Sequence, residues 1–257
     1  MAKAIKKYAL GCLPDAPDDR DLLVAPGMFT VPEQVDWTSQ MSVVRDQGNE
    51  GSCVGHAVVA VKEFQERRQY GRAFDFSERF AYEYAKRYDE WEGEGYEGTS
   101  IRGAMKALTK HGVCEESYWP YKPQKKGKPD PQALNNAYLY RISVYRSLTY
   151  YDKIEGTQRV NLDALKRALA EVGPVAVGFA IYGDDWFNVG PDGVIKDSKS
   201  KVFNGGHAVC LVAYDEKEKI FSLKNSWSAH WGKAGYGFLS YDFMLKYCQN
   251  AWSAWDA

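Results

Sequence analysis

Apolar residues recur at helical spacing after residue 53. Val54, Ala57, Val58, Val61 and Phe64 fall on one face, which predicts a helix from Ser52 or Cys53 to about Tyr70. A second helix is expected from Ser77, as N-cap, to about Asp89. A third is expected over 100–110, ended by His111-Gly112. The segment EWEGEGYEG (90–98), between the last two, reads as a loop. Beyond residue 132 the pattern changes. YLYRISVYRSL (138–148), VAVGFAIY (175–182), HAVCLVAY (207–214), KIFSLKNSW (219–227) and YGFLSY (236–241) read as strands. One helix, LDALKRALAEVG, is inserted at 162–173. Helices first and strands second predict an α+β protein built of two unlike halves. The expected division is an extended, Pro- and Asp-rich arm over 1–35, a mainly helical part over 36–132, and a mainly β part over 133–257. The polar KPQKKGKPDPQ (122–132) is the expected connection between the halves.

Composition narrows the function. The chain has 257 residues, enough for one large domain or two packed halves. Basic and acidic side chains number 33 and 34, so no electrostatic footprint for nucleic acid exists and no such partner is expected. No apolar run reaches the ~20 residues of a membrane span. The N-terminal MAKAIKKYALGC has no apolar stretch of signal-peptide length, so a soluble, cytoplasmic protein without membrane contact is expected. Cysteines stand at 12, 53, 114, 210 and 248, an odd number without a CxxC pair. That spacing gives no support for zinc or thioredoxin-like chemistry and fits a reducing compartment. No cofactor or metal is expected.

Two segments carry candidate chemistry. In QGNEGSC (47–53) a Gln precedes a Cys by six residues, and a helix is expected to begin at the Cys. Unpaired amides and the dipole at a helix start favour a thiolate. Gly48 and Gly51 allow close backbone approach, and the Gln47 amide together with the Cys53 N–H can donate to an oxyanion. In NGGHAV (204–209), His207 is expected at the start of a strand after two glycines. In KNSWSAHWGKAGYG (224–237), Asn225 ends the next strand. An imidazole can serve the thiol as base and acid, and an Asn carbonyl can fix the imidazole's orientation. Trp227 is placed to cover that bond.

These segments resemble the papain family of cysteine peptidases. The matching residues are Gln47, Gly51-Ser52-Cys53, His207-Ala208-Val209, Lys224 to Trp227, Trp231-Gly232 and Gly235-Tyr236-Gly237. Gly98, MKALTKHGV (105–113), Tyr118 and Pro120-Tyr121 extend the likeness, which covers roughly 35–241. The resemblance implies a two-lobed fold with a cleft between a helical lobe and an antiparallel, barrel-like β lobe. It implies catalysis by Cys53, His207, Asn225 and Gln47 through a thioacyl-enzyme, with Gly98 and Thr99 binding a peptide or protein substrate. An endopeptidase is expected. An exopeptidase or acyl transferase with the same site, or a non-catalytic binding protein on this fold, are the alternatives.

Several positions depart from the family's pattern. Glu50 stands where a disulfide cysteine is usual, Val54 and His56 where aromatics are usual, and Thr99 where a second glycine is usual. The family's inhibitory pro-domain has no room before Cys53, so the arm is expected to pack on the surface or partly cover the cleft. His56, three residues beyond Cys53, is the rival base. His111, His230 and the other four cysteines read as structural. Glu90, Glu92, Glu94 and Glu97 read as a solvated loop, or as a cleft wall favouring basic substrates.

Overall fold

The computed structural model describes residues 8–24, 30–91 and 96–256. The apolar stripe after Cys53 closes into α1 (Cys53–Tyr70), which stops where Gly71 turns left-handed and returns its N–H to Arg67 O. α2 (Glu78–Ala85) and α3 (Ile101–His111) start at Ser77 and Ser100, whose side chains accept from Phe80 N and Gly103 N. α4 (Pro131–Tyr138), α5 (Leu162–Glu171) and α6 (Tyr241–Tyr247) are capped in the same way by Asp130, Asn161 and Ser240. α4 replaces the end of the expected polar connection and the start of an expected strand. It buries only Ala133 and Ala137, too narrow a stripe for its periodicity to show.

The strands are β1 (Cys12–Leu13), β2 (Gln34–Asp36), β3 (Thr99–Ser100), β4 (Ile142–Ser147), β5 (Thr149–Asp152), β6 (Thr157–Val160), β7 (Val175–Tyr182), β8 (Phe203–Asp215), β9 (Ile220–Lys224), β10 (Tyr236–Ser240) and β11 (Cys248–Asp256). Seven of them form one antiparallel sheet in the order β10-β9-β8-β7-β11-β4, with β2 added on β8. Strand periodicity divides this sheet between two cores. Ala176, Ala208, Cys210 and Val212 pack with α1, α2 and α3. Val177, Phe179, Val209 and Leu211 pack with Leu165 and Leu169 of α5 and Phe243 and Met244 of α6. The residues of β7 and β8 turned to α1 are mostly small, which lets the helix lie close.

The structure differs from the expected elements at two further places. Strand β8 begins at Phe203, so His207 lies inside it rather than at its start. Its glycines are there because another backbone lies against them: a Cβ on Gly206 would sit 2.0 Å from Cys12 O. The C-terminal residues, given no element from sequence, form α6 and β11, and β11 lies between β7 and β4. Its pattern was obscured by Asn250 and Ser253, which are polar yet buried. Asn250 faces the arm, donating to Leu13 O at 3.5 Å. Among the described residues no helix is long and apolar enough to cross a membrane.

Candidate active site

Cys53 is the first residue of α1 and is fully buried. The loop before it is fixed from both sides. The Gln47 N–H donates to Ser226 O at 2.9 Å, and Asp46 bridges to Trp227. Gln47 Oε1 accepts from Ser226 Oγ at 2.7 Å and from Trp227 Nε1 at 3.1 Å. With its oxygen so held, the amide must present its NH2 group on the opposite side, where Nε2 donates to Glu50 O at 2.8 Å and to Ala9 O at 3.0 Å.

His207 and Asn225 meet from neighbouring strands. His207 Nε2 donates to Asn225 Oδ1 at 2.8 Å, and the Ser226 N–H donates to the same oxygen at 2.8 Å. The Trp227 ring lies 4.4 Å from the imidazole, itself fully buried, and shields this bond from water. Phe187 stacks on Trp227 at 5.1 Å, and Trp186 packs edge-on against His207 at 5.7 Å. Neither was singled out from the sequence. Ala208, next to His207, directs its N–H at the Cys53 sulfur. The structure therefore brings Gln47, Cys53, His207 and Asn225 to one place.

The arm occupies that place. Tyr8 stacks on Trp227 at 5.0 Å and donates its hydroxyl to Trp227 O at 3.0 Å. Ala9 O takes the Gln47 amide. Leu10 packs over Gly205, and the Gly11 N–H points at Cys53 Sγ. Thr99 N donates to Gly11 O at 2.9 Å, which opens a parallel pairing of Cys12–Leu13 with Thr99–Ser100. Thr99 thus holds an extended main chain, which is the arm's, while the Gly98 N–H donates to Tyr82 OH at 2.9 Å. A Cβ on Gly98 would fall 2.5 Å from Gly11 O, which explains the glycine at φ 105°. Further on, Arg102 fastens the arm. It pairs with Asp21 and donates to Ala16 O at 2.7 Å.

Burial shifts both ionisable groups of the site. Burial pushes the Cys53 thiol up to about 11, against the amides of Ala208, Gly11 and Val54 that favour the thiolate. Burial also pulls the His207 imidazole down to about 4, against its bond to Asn225. Both shifts favour the neutral forms.

The family profile for papain family cysteine proteases matches residues 31–253, most of the chain and all four of these residues. The chain belongs to that family. An uncharacterized peptidase C1-like protein of Acanthamoeba polyphaga mimivirus is 28% identical, covering 91% of this chain and 82% of its own. Cathepsin L of Sarcophaga peregrina is 27% identical over 83% of this chain, which spans only 60% of that relative's length. Xylellain, a cysteine protease from Xylella fastidiosa, superposes with a TM-score of 0.82 at 29% identity, over 100% of this chain and 99% of its own. Digestive procathepsin L 3 of Tenebrio molitor shares the fold, with a TM-score of 0.72 at 24% identity.

This papain-family cysteine peptidase has its own way of bracing the loop before the helix. Glu50 is buried and forms a two-pronged ion pair with Arg79, at 2.8 Å and 2.6 Å. Tyr121 adds a hydroxyl bond to Glu50 at 2.9 Å. Removing one partner of such a pair leaves an uncompensated buried charge. Glu50→Ala is therefore expected to cost about 3–5 kcal/mol of stability. Denaturant midpoints measure this, and a shift equal to that of a surface Glu→Ala control would refute it. All five cysteines are unpaired and buried.

His56, the rival base, is engaged away from the Cys53 sulfur. Its Nδ1 bonds Ser52 O at 3.1 Å, and its ring sits edge-on to Tyr121. His230 is exposed, and His111 accepts a place beside Tyr88 OH at 2.6 Å. In the acidic loop, Glu90 is taken up by Arg102 and Glu97 by Gln124. Glu92 and Glu94 lie outside the described residues.

Proposed function

We propose that this peptidase cleaves internal peptide bonds through a thioester on Cys53, and that the arm holds it in a self-inhibited form. The observation that carries the reading is the meeting at one place of Gln47, Cys53, His207 and Asn225 from distant segments, with the Gln47 amide on a main-chain carbonyl. Ala9 O receives the Gln47 amide beside the Cys53 helix start, where the oxygen of a substrate would be stabilised. In a substrate complex, the Cys53 sulfur attacks the carbonyl carbon while its proton passes to His207 Nδ1. Gln47 Nε2 and the Cys53 N–H hold the oxyanion. His207 then returns the proton to the departing amine, and water hydrolyses the thioester. Asn225 keeps the imidazole in the tautomer and orientation this requires. Gly98 and Thr99 bind the acyl half of the substrate.

The direction of the arm explains why it inhibits without being cut. His207 must reach the leaving amine, so the amine half of a substrate lies toward His207 and Trp227, and the acyl half toward Gly98 and Thr99. A substrate therefore runs, N to C, from Thr99 to Trp227. The arm runs the other way, from Tyr8 on Trp227 to Cys12 beside Thr99. Its peptide bonds present their nitrogen on the wrong side for protonation. When the arm leaves, rehydration relieves the burial that keeps Cys53 and His207 neutral, and a thiolate–imidazolium pair becomes accessible. The five unpaired thiols support a reducing, cytoplasmic setting.

Gln47→Ala is expected to lower kcat by about 10²–10³-fold with little change in KM, because its amide acts on charge that develops after binding. A loss confined to KM would contradict this role. Mass analysis of products from a mixed peptide library tests the mode of cleavage. Internal cuts are expected, and removal of terminal residues alone would overturn the endopeptidase assignment.

A further inference from the structure

Behind the His207–Asn225 pair lies a cavity of about 10 Å³, lined among others by Arg45, His56, Glu63, Glu78, Lys224 and Asn225. That is close to the least space that holds one water, ~10–15 Å³ by the same kind of measure. Three of its lining residues have a buried polar atom without a hydrogen-bond partner among the described residues: Arg45 Nε, which faces Glu78 Oε1 at 3.8 Å as an ion pair, and two atoms with no such charge partner, His56 Nε2 and Asn225 Nδ2. Buried polar atoms are rarely left so, and a pair facing one polar space calls for a bridge.

The polarity of the two atoms is complementary. Ser52 O can only accept, so the hydrogen on the His56 ring sits on Nδ1, and Nε2 carries a lone pair. Asn225 Oδ1 already accepts twice, from His207 Nε2 and Ser226 N, so its Nδ2 can only donate. We propose that one water bridges Asn225 Nδ2 to His56 Nε2, and that His56 is a positioning residue for the active site. This inference rests on the reaction proposed above and adds a part to it. Burial, which holds the His56 imidazole down to about 4, keeps the ring neutral and able to accept.

The bridge has a specific consequence. An Asn amide can turn over, exchanging its oxygen and nitrogen. Turned over, Asn225 would aim N–H groups at the N–H of His207 and at that of Ser226. The water gives the NH2 group a place that the oxygen could not fill as well, because a neutral His56 Nε2 orients the water to accept from Asn225. A phenyl ring at position 56 would remove that preference while filling a similar volume.

Two measurements test this, the first independent of activity. A high-resolution crystal structure of the full chain is expected to show one ordered water within about 3.2 Å of both atoms. An empty cavity, or a water touching only one of the two, overturns the bridge. The second compares His56→Phe and His56→Gln in a chain carrying Gly11→Val, which frees the cleft. His56→Phe is expected to lower kcat about tenfold, the scale of one buried hydrogen bond, with KM unchanged. His56→Gln, which keeps an acceptor, is expected to restore most of it. Equal kcat in the Phe variant, or no rescue by Gln, overturns the positioning role. If the Gly11→Val chain with His56 intact shows no turnover, the peptidase mechanism fails instead, and the diffraction result still decides the bridge.

Discussion

Replacing Cys53 with alanine is expected to lower peptide turnover by about 10⁴–10⁶-fold, the scale seen when a nucleophile is removed from a cooperating triad. Nothing else in the site can take its place. Among the other cysteines, Cys12 lies on the arm, and Cys114, Cys210 and Cys248 are all buried. His56 is engaged by Ser52 O. The comparison belongs in a chain with an open cleft, where the active parent turns over fast enough for such a range to be read. Retention of more than about one per cent of the parent rate would remove Cys53 from the mechanism.

Gly11→Val supplies that open cleft, and its own effect is the second large one. A Cβ at residue 11 would fall 1.9 Å from Gly51 O and 2.6 Å from Gly51 Cα. Both are backbone atoms of the loop that Gln47 and Glu50 hold in place, so neither can step aside. The arm must then withdraw. Overpacking of this kind costs about 1–3 kcal/mol or more, which corresponds to a rise in kcat/KM of about ten- to a hundredfold at low substrate. The arm is tethered and so competes at a high effective concentration, and its release is felt mainly at substrate levels below saturation. Stability should change little by comparison, since the arm segment 8–13 lies over the cleft. If the rate stayed flat while Gly11→Val remained folded, the arm would be a surface ornament rather than an inhibitor.

Much of this site was legible in the sequence, because its residues sit in patterns with a local physical reason. Cys53 follows a glycine turn and opens an amphipathic helix. His207 lies in an apolar run after two glycines, and Asn225 directly follows the next apolar strand. The run through Trp227 to Gly237 is specific in itself. Partial covering of the cleft by the arm was one of two expectations, but the contacts by which it docks were not legible, and the reason is visible in them. Residues 8–13 use backbone groups: Ala9 O, the Gly11 N–H and Gly11 O. The fitting surface is made of glycines at 51, 98, 205 and 206, scattered along the chain. Such pairing leaves no periodicity, only an unexplained excess of small residues. The Glu50–Arg79 brace was hidden similarly, since 29 positions separate its partners. The position of β11 escaped because its buried Asn250 and Ser253 break the apolar pattern that marks an inner strand. Position 56 was read as a departure from the family, but its unpartnered Nε2 and the cavity it shares with Asn225 appear only in three dimensions.

The claim on which the rest depends is that the acyl group passes through the Cys53 sulfur. A direct measurement is acid quenching of the Gly11→Val chain during turnover of an activated peptide ester, followed by proteolytic mapping by mass. An acyl adduct is expected on the peptide that contains Cys53, accumulating in the first turnover and absent from the Cys53→Ala variant. Turnover with no adduct on Cys53, or with the acyl group on another residue, would contradict it.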